Sequence, residues 1–254
     1  MKKKSDLDIE RERYSRRAAI NNNNIDYQIK KRKNNLINAP YYDFYFKSLI
    51  RNSKKGFKIL EICCGEGQCS EPILENYNDI TFADISKNSL DGIKRNFSSL
   101  ISESVRFKVC NIELLPFDNE IFDIVACSGG LSYGENNLVK NEIYRVLKPN
   151  GIFICIDSLN DNPIYKLNRF FHYIKGNRTK STLKRMPDRK LLGNYNNKFG
   201  DTKINFTGKL IWILYPLSKI ISYEKSKLLS DIFDNILPNW MSFKFIMEAR
   251  KISS

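Results

Sequence analysis

Two carboxylates and two glycines carry the clearest chemistry in this chain. Glu61 opens the run Glu61-Ile62-Cys63-Cys64-Gly65-Glu66-Gly67, and Asp84 follows 17 residues after Gly67. Gly65 and Gly67 permit a tight turn with close approach of backbone to a ligand. An acid at Asp84 can accept both hydrogen bonds of a ribose diol, so the pairing fits an adenosine-containing cofactor. The loop lacks the Gly-Lys-Ser/Thr of a phosphate-binding loop, and Ser70 is a poor third small residue for a dinucleotide fingerprint. Glu61 and Glu66 are badly placed beside a pyrophosphate and well placed beside a cationic ligand. A second candidate is His172, the only histidine, whose ordinary pKa suits a general base near neutrality; a structural or surface histidine is the competing reading.

The elements that must position these residues alternate. Short apolar runs at 58–63, 80–84, 105–109, 121–127 and 152–157 predict strands, and 67–76, 88–100 and 137–147 predict helices between them. Strand and helix in that alternation imply parallel strands joined by crossover helices, an open doubly wound sheet whose ligands sit beyond the strands' carboxyl ends. The segment 159–201 is polar and basic and breaks the pattern, as a lid would. Structure resumes with a strand at 203–206, two helical stretches within 210–237 and a final strand at 243–249. At the other end, 6–19 predicts an exposed helix and 21–38 a polar, partly flexible connection. The division expected is a helical extension over 1–40 and one domain over 41–254, with core 56–158, lid 159–201 and closing elements 202–254.

Composition bounds the classes. The chain has 254 residues, 42% apolar and 12% aromatic, which excludes a disordered chain and a disulfide-held miniprotein. Residues 5–17 after Met-Lys-Lys-Lys are almost continuously charged, so no secretory signal is expected, and the apolar stretch 210–221 is broken by Pro216 and Lys219, short of the ~20 residues a bilayer span needs. A cytoplasmic location follows as an expectation. Cys63, Cys64, Cys69, Cys110, Cys127 and Cys155 lack paired spacing and neighbouring histidines, so they read as reduced core residues and no metal site is expected. Residues 163–254 hold 18 basic and 6 acidic side chains, against 13 and 17 over 41–162. Such asymmetry suits an anionic partner, and the enrichment in Lys, Asn and Ile also fits drift in base composition.

The glycine run resembles the E/D-x-G-x-G-x-G motif of class I S-adenosylmethionine-dependent methyltransferases. Leu115-Pro116-Phe117 with Phe122-Asp123-Ile124-Val125, and Glu142-Ile143-Tyr144-Arg145-Val146-Leu147-Lys148-Pro149-Asn150-Gly151, are similar to further motifs of that family, so the likeness covers about 56–158. It implies a Rossmann-like sheet of seven mostly parallel strands with the last antiparallel, a lid after the fifth strand, and S-adenosylmethionine as cofactor. By the same resemblance Glu61, Cys63, Gly65, Gly67, Asp84, Ile85, Asn111, Ile112 and Ser128 would contact the cofactor. Cys63 stands where the family has its first glycine, tolerable if its torsions are ordinary, and Asn111 stands where an Asp commonly contacts adenine, which its side-chain oxygen can still do.

The resemblance places substrate-facing residues after the fourth strand, where Tyr133 in Ser128-Gly129-Gly130-Leu131-Ser132-Tyr133-Gly134 can orient a nucleophile or cap the pocket. A broader likeness to bacterial methyltransferases of small-molecule or surface-sugar biosynthesis adds Tyr42, Tyr165, Arg169 and Arg178 as substrate contacts, with the arginines and Lys180 suited to phosphate. The expected acceptor is a small molecule, first a sugar hydroxyl with His172 as base, and alternatively an amine or carbon. RNA modification competes on the strength of basic flanks and aromatics, without a recognised RNA-binding module or an Asn/Asp-Pro-Pro-Tyr/Phe segment. A cofactor-binding regulator is the non-enzymatic alternative. A membrane-surface role for 210–229 is weighed against burial of the same helix face.

Overall fold

The computed structural model describes residues 5–20, 39–218 and 220–252; the connection expected over 21–38 lies outside the described residues. Seven strands form one sheet: β1 Lys58–Ile62, β2 Asp79–Asp84, β3 Val105–Val109, β4 Phe122–Ser128, β5 Leu147–Ser158, β6 Gly200–Thr207 and β7 Lys244–Lys251. Their order is β3-β2-β1-β4-β5-β7-β6, parallel except that β7 runs antiparallel to both neighbours, so the expected mixed sheet holds. Ser158 of β5 and Thr207 of β6 both stand opposite Lys244, so β5 and β6 end where β7 begins.

The helices are α1 Asp6–Ile20, α2 Ala39–Asn52, α3 Glu71–Asn76, α4 Lys87–Asn96, α5 Asn136–Val146, α6 Pro163–Ile174, α7 Lys180–Lys184, α8 Arg189–Phe199, α9 Ile211–Leu217 and α10 Tyr223–Ile236. Their starts follow from capping: Ser86, Glu135, Asn162 and Asp188 each accept from a backbone N–H in the first turn. The helix expected from residue 67 begins only at Glu71, because residues 64–70 form successive turns, Gly67 N to Cys64 O and Ser70 N to Gly67 O, both 3.1 Å.

Because both faces of the sheet are covered, the central strands bury successive residues and read as unbroken apolar runs. Ile59, Phe82, Ile124 and Ile154 pack with Tyr41, Tyr45 and Leu49 of α2 and with Ile93 of α4. Leu60, Val125, Phe153 and Met247 pack with Ile143 of α5 and with Leu192, Tyr195 and Phe199 of α8. Here the expected lid divides. Its last third, α8, is a core helix, since the apolar residues of Arg189–Phe199 fall on one helical face that a polar average over 159–201 conceals.

The amino-terminal helix also departs from an exposed one. Glu10 and Ala18 of α1 are buried. Ser15 Oγ lies 3.1 Å from Ser86 Oγ beside α4, while Thr182 Oγ1 of α7 donates to Glu10 Oε1 at 3.0 Å. α1 thus lies across the carboxyl edge of the sheet, tied to α4 on one side and to α7 on the other. A buried carboxylate on its inner face is tolerable because Arg13 pairs with it and Thr182 donates to it.

Candidate active site

The first strand delivers its chain into a loop with three left-handed residues. Cys63 (φ 52°), Gly65 (φ 55°) and Gly67 (φ 85°) alternate with ordinary backbone. The condition set on Cys63, ordinary torsions, is therefore not met: a left-handed conformation costs a residue with a Cβ about 1–2 kcal/mol, and the thiol's surroundings must offset it. Across the site, a Cβ on Gly130 would lie 2.6 Å from Cys63 Cβ, 2.8 Å from its Sγ and 2.9 Å from Cys127 Sγ. The space that the Cys63 side chain fills is thus left open by a glycine on the loop after β4. Gly67 is required by packing as well as torsion, since a Cβ there would meet the Phe97 ring at 2.8 Å.

Asp84 ends β2 directly beside this loop. Its Oδ2 accepts from Gly65 N at 3.0 Å and its Oδ1 from Ser86 N at 2.9 Å. Burial raises its pKa, and the N–H groups of Ser86, Gly65 and Ile85 oppose that rise. The carboxylate is thus held rigidly at the turn, and Ile85 is half-buried next to it. Glu61 lies beneath the loop, 1% exposed, and Ser70 Oγ donates to its Oε2 at 2.5 Å. Tyr45, raised in pKa by burial and by Glu61, has a hydroxyl with no hydrogen-bond partner among the described residues. A buried carboxylate and an orphaned phenol under a glycine loop fit a cationic, hydrogen-bonding ligand. Glu66 does not share that placement; its side chain lies against Gly92 of α4.

The adenine side is less open than the sequence suggests. Asn111 Oδ1 accepts from Glu113 N at 3.0 Å, which leaves one lone pair for a ligand, and Ile112 is buried against Gly134. Ser128 Oγ donates to Cys69 Sγ at 3.2 Å at the end of β4.

The far side of the carboxyl edge gathers a second group of residues. Asp157, near the end of β5, accepts from Leu131 N at 3.1 Å and from Ser158 N at 2.6 Å, and burial pushes its pKa up to about 6. This fixes the 3-10 turn Leu131–Tyr133, on which the Tyr133 hydroxyl bonds to that of Tyr14 from α1, with the rings edge-on at 5.4 Å. Arg169 of α6 stacks over the Tyr165 ring at 4.4 Å and reaches Ser158 Oγ at 3.4 Å. Burial and the nearby Arg178 push its pKa down to about 10, and its Nε has no partner among the described residues. Lys244, lowered by burial and supported by Asp157, lies 5.4 Å from the Tyr42 ring. Tyr42, Tyr133, Tyr165, Arg169 and Arg178 therefore lie on this same side of the carboxyl edge.

His172 does not join them. Asn162 starts α6 so that Tyr165 and Arg169, four residues apart, face inward, while His172 is exposed on the helix surface. The site residues missed by the sequence reading are Tyr14, Tyr45, Gly130, Asp157 and Lys244. Only Asp157, an acid ending a predicted strand, carried a local signal.

With this geometry in place, comparison with known proteins is informative. Residues 59–151 match the methyltransferase domain family. Over 116 residues the chain is 34% identical to the demethylmenaquinone methyltransferase of Lactococcus lactis subsp. lactis, a match covering 44% of this chain and 46% of that one. The chain spans about half the length of the curated relatives it matches. Among solved structures, the geranyl diphosphate C-methyltransferase of Streptomyces coelicolor superposes with a TM-score of 0.60 at 16% identity, covering 84% of this chain and 79% of that one. A phosphoethanolamine N-methyltransferase of Haemonchus contortus gives 0.60 at 18% identity, covering 83% and 53%. Residues 59–151 thus carry the match to a methyltransferase domain, and the likeness to the two solved structures shows that the chain has their fold.

Proposed function

We propose that this protein transfers a methyl group from S-adenosylmethionine to a small acceptor bearing a negative charge, at a carbon or a nitrogen. The observation that carries the reading is the placement of Arg169 and Lys244 beside Asp157, with Arg178 near Arg169, across the sheet edge from the glycine loop. Arg169 and Lys244 beside Asp157 offer an anion two cations, and an Arg169 Nε without a partner among the described residues suits bidentate contact with a carboxylate or phosphate.

The cofactor supplies an electrophilic methyl on a sulfonium. Asp84 would hold its ribose, Glu61 and Tyr45 its amino-acid end, and Gly65 and Gly67 the backbone approach. The chain's own contribution is position: α1 and the Tyr14–Tyr133 pair close the edge against water, and Arg169 and Lys244 fix the acceptor's charged end. In-line transfer to a neutral amine or an activated carbon needs no strong base, whereas a hydroxyl benefits from one. The sugar-hydroxyl expectation loses its base with His172 on the surface. Transfer to carbon and to nitrogen is named for the two solved proteins of this fold described above, and it agrees with the acceptor atoms proposed.

Calorimetric titration with S-adenosylmethionine tests the cofactor half, with Asp84→Ala expected to weaken binding by about 100-fold or more, two charge-assisted hydrogen bonds to the ribose being lost. Transfer of labelled methyl to metabolite fractions separated by charge tests the acceptor half. The label should follow anions, and Arg169→Ala should raise the acceptor KM while leaving cofactor affinity unchanged. Label in neutral or cationic products only would refute the acceptor assignment.

A further inference from the structure

Helices α6 and α10 each turn an apolar stripe outward. In α6, Ile164, Leu167, Phe171 and Ile174 recur at the spacing of one helical stripe and are 44–62% exposed, while the inward face carries Tyr165 and Arg169. In α10, Leu228, Ile232 and Ile236 stand four residues apart and are 43–71% exposed, while Ser226 and Ser230 are buried and Leu229 and Phe233 pack inward against Ile211 and Leu214. Isolated exposed apolar residues need no explanation, but periodic apolar stripes turned outward do.

The stripes adjoin. Asn162 Nδ2, at the start of α6, donates to Met241 O at 2.7 Å, and Tyr165 packs edge-on against Phe243 at 4.7 Å. Phe243 also packs into the small cluster of Ile211 and Leu214 that joins α9 to α10. Trp240 and Trp212, at this junction, are 43% and 42% exposed. Burial of the 210–229 segment is thus only partial: Ile211 and Leu214 face inward, Trp212 and Ile213 outward. All these elements emerge where β5 and β6 end and β7 begins, the same edge that holds Arg169 and Lys244.

Charge identifies the occupant. Residues 163–187 contain seven basic side chains and no acidic one. Lys166, Lys175, Lys180 and Lys184 are exposed along that segment, and Lys225 lies exposed on the outward side of α10. Of the acids of α10, Asp234 is tied to the backbone of Gly208 and Lys209, Asp231 pairs with Lys227, and Glu224 is exposed four residues before Leu228, so the excess positive charge of the face comes from the 163–187 segment. A second copy of this chain would bring like charges together, whereas an anionic lipid surface complements them, and tryptophan beside lysine suits the headgroup boundary.

We infer that α6, α9 and α10 with the Trp240 turn form a face that docks on a negatively charged lipid bilayer surface, apolar stripes in the headgroup boundary and lysines against the phosphates. No helix among the described residues is long and apolar enough to cross a membrane, so the attachment is peripheral. The inference stands on surface chemistry and does not require the methyl-transfer reading.

Co-sedimentation of the full chain with phosphatidylcholine vesicles, and with vesicles also containing phosphatidylglycerol, is the test. Binding should favour the anionic vesicles by about tenfold or more, weaken as salt is added, and shift tryptophan emission to the blue. The double variant Leu228→Glu/Ile232→Glu, and separately Leu167→Ser/Phe171→Ser, should lower vesicle binding at least about tenfold while keeping the wild-type circular dichroism and S-adenosylmethionine affinity. Wild-type protein that ignores both vesicle types, or folded variants of both pairs that bind as well as wild type, would overturn the assignment. So would a concentration-dependent dimer, dissolved by the α10 variant and accompanied by no vesicle binding, which would give the face to a second copy.

Discussion

At the β1–β2 end of the sheet edge, Glu61, Gly65, Gly67 and Asp84 lie within one strand-loop-helix-strand stretch of the chain. At the β4–β5–β7 end, Tyr14, Tyr133, Asp157, Arg169 and Lys244 come from five elements or connections spread over almost the whole sequence. The first end is set by backbone torsion and by N–H groups aimed at a carboxylate, properties fixed by a few neighbouring residues. The second is set by which side chains the completed sheet happens to bring together, and by a helix that the chain lays down before the sheet begins. A cofactor site of the first kind can be shared by many proteins, while an acceptor site of the second kind can change with any one of its contributing segments.

The residue pair that joins the two ends offers the sharpest test of their separateness. Gly130→Ala would press a methyl group into Cys63 and Cys127, and should destabilise the fold by about 1–3 kcal/mol. Cys63→Gly alone should change stability little, since relief of the left-handed strain offsets the lost packing. Combined, the two should recover at least about 1 kcal/mol of the Gly130→Ala loss, measured by denaturant unfolding as a double-mutant cycle. Simple additivity would show that the two loops do not share that space.

Asp157 gives the next largest effect. Its folded pKa, about 6, lies above the ~4 of an unfolded aspartate, so folding favours its protonated form. Its contribution to stability is full below about pH 4 and is lost as pH rises through about 6, on the order of 2–3 kcal/mol in all. Asp157→Asn should flatten the stability profile in that window. An unchanged slope would move the titration to Asp84 or Asp234, whose pKa values burial also raises.

Tyr14→Phe removes the hydroxyl pair across the edge. About fivefold slower turnover is expected, with cofactor affinity unchanged, consistent with one hydrogen bond of about 1 kcal/mol. If cofactor affinity fell by as much as turnover, α1 would belong to the first end of the site. His172→Ala should leave turnover unaltered and shift stability by less than about 0.5 kcal/mol; a large loss of turnover would return that histidine to the acceptor end.

Much of this architecture was readable in the chain itself. Val105–Val109 appears as a strand at the predicted limits, and the alternation through β5 announces a parallel sheet, because central strands buried on both faces leave continuous apolar runs. The turn at Gly65 and Gly67 with Asp84 beside it was legible for the same local reason: it follows from torsion and sequence distance. Residues 189–199 were misread as lid since their apolar positions are diluted by Asn and Lys on the outer helical face. Cys63 could not be read at all, because the glycine that accommodates it, Gly130, lies 67 residues away.

The sequence by itself determined the sheet, the crossovers, the glycine turn and the acid beside it, each fixed by interactions among near neighbours, by continuous apolar runs or by burial patterns of period 3.6. Only the tertiary structure decided that α1 closes the edge, that Arg169 and Lys244 share Asp157, that His172 faces outward, and that the apolar stripes of α6 and α10 do too. Those outcomes depend on which face of a helix meets the rest of the protein. An amphipathic pattern states that two faces exist, but the choice of inward face is made by the sheet edge against which the helix finally packs.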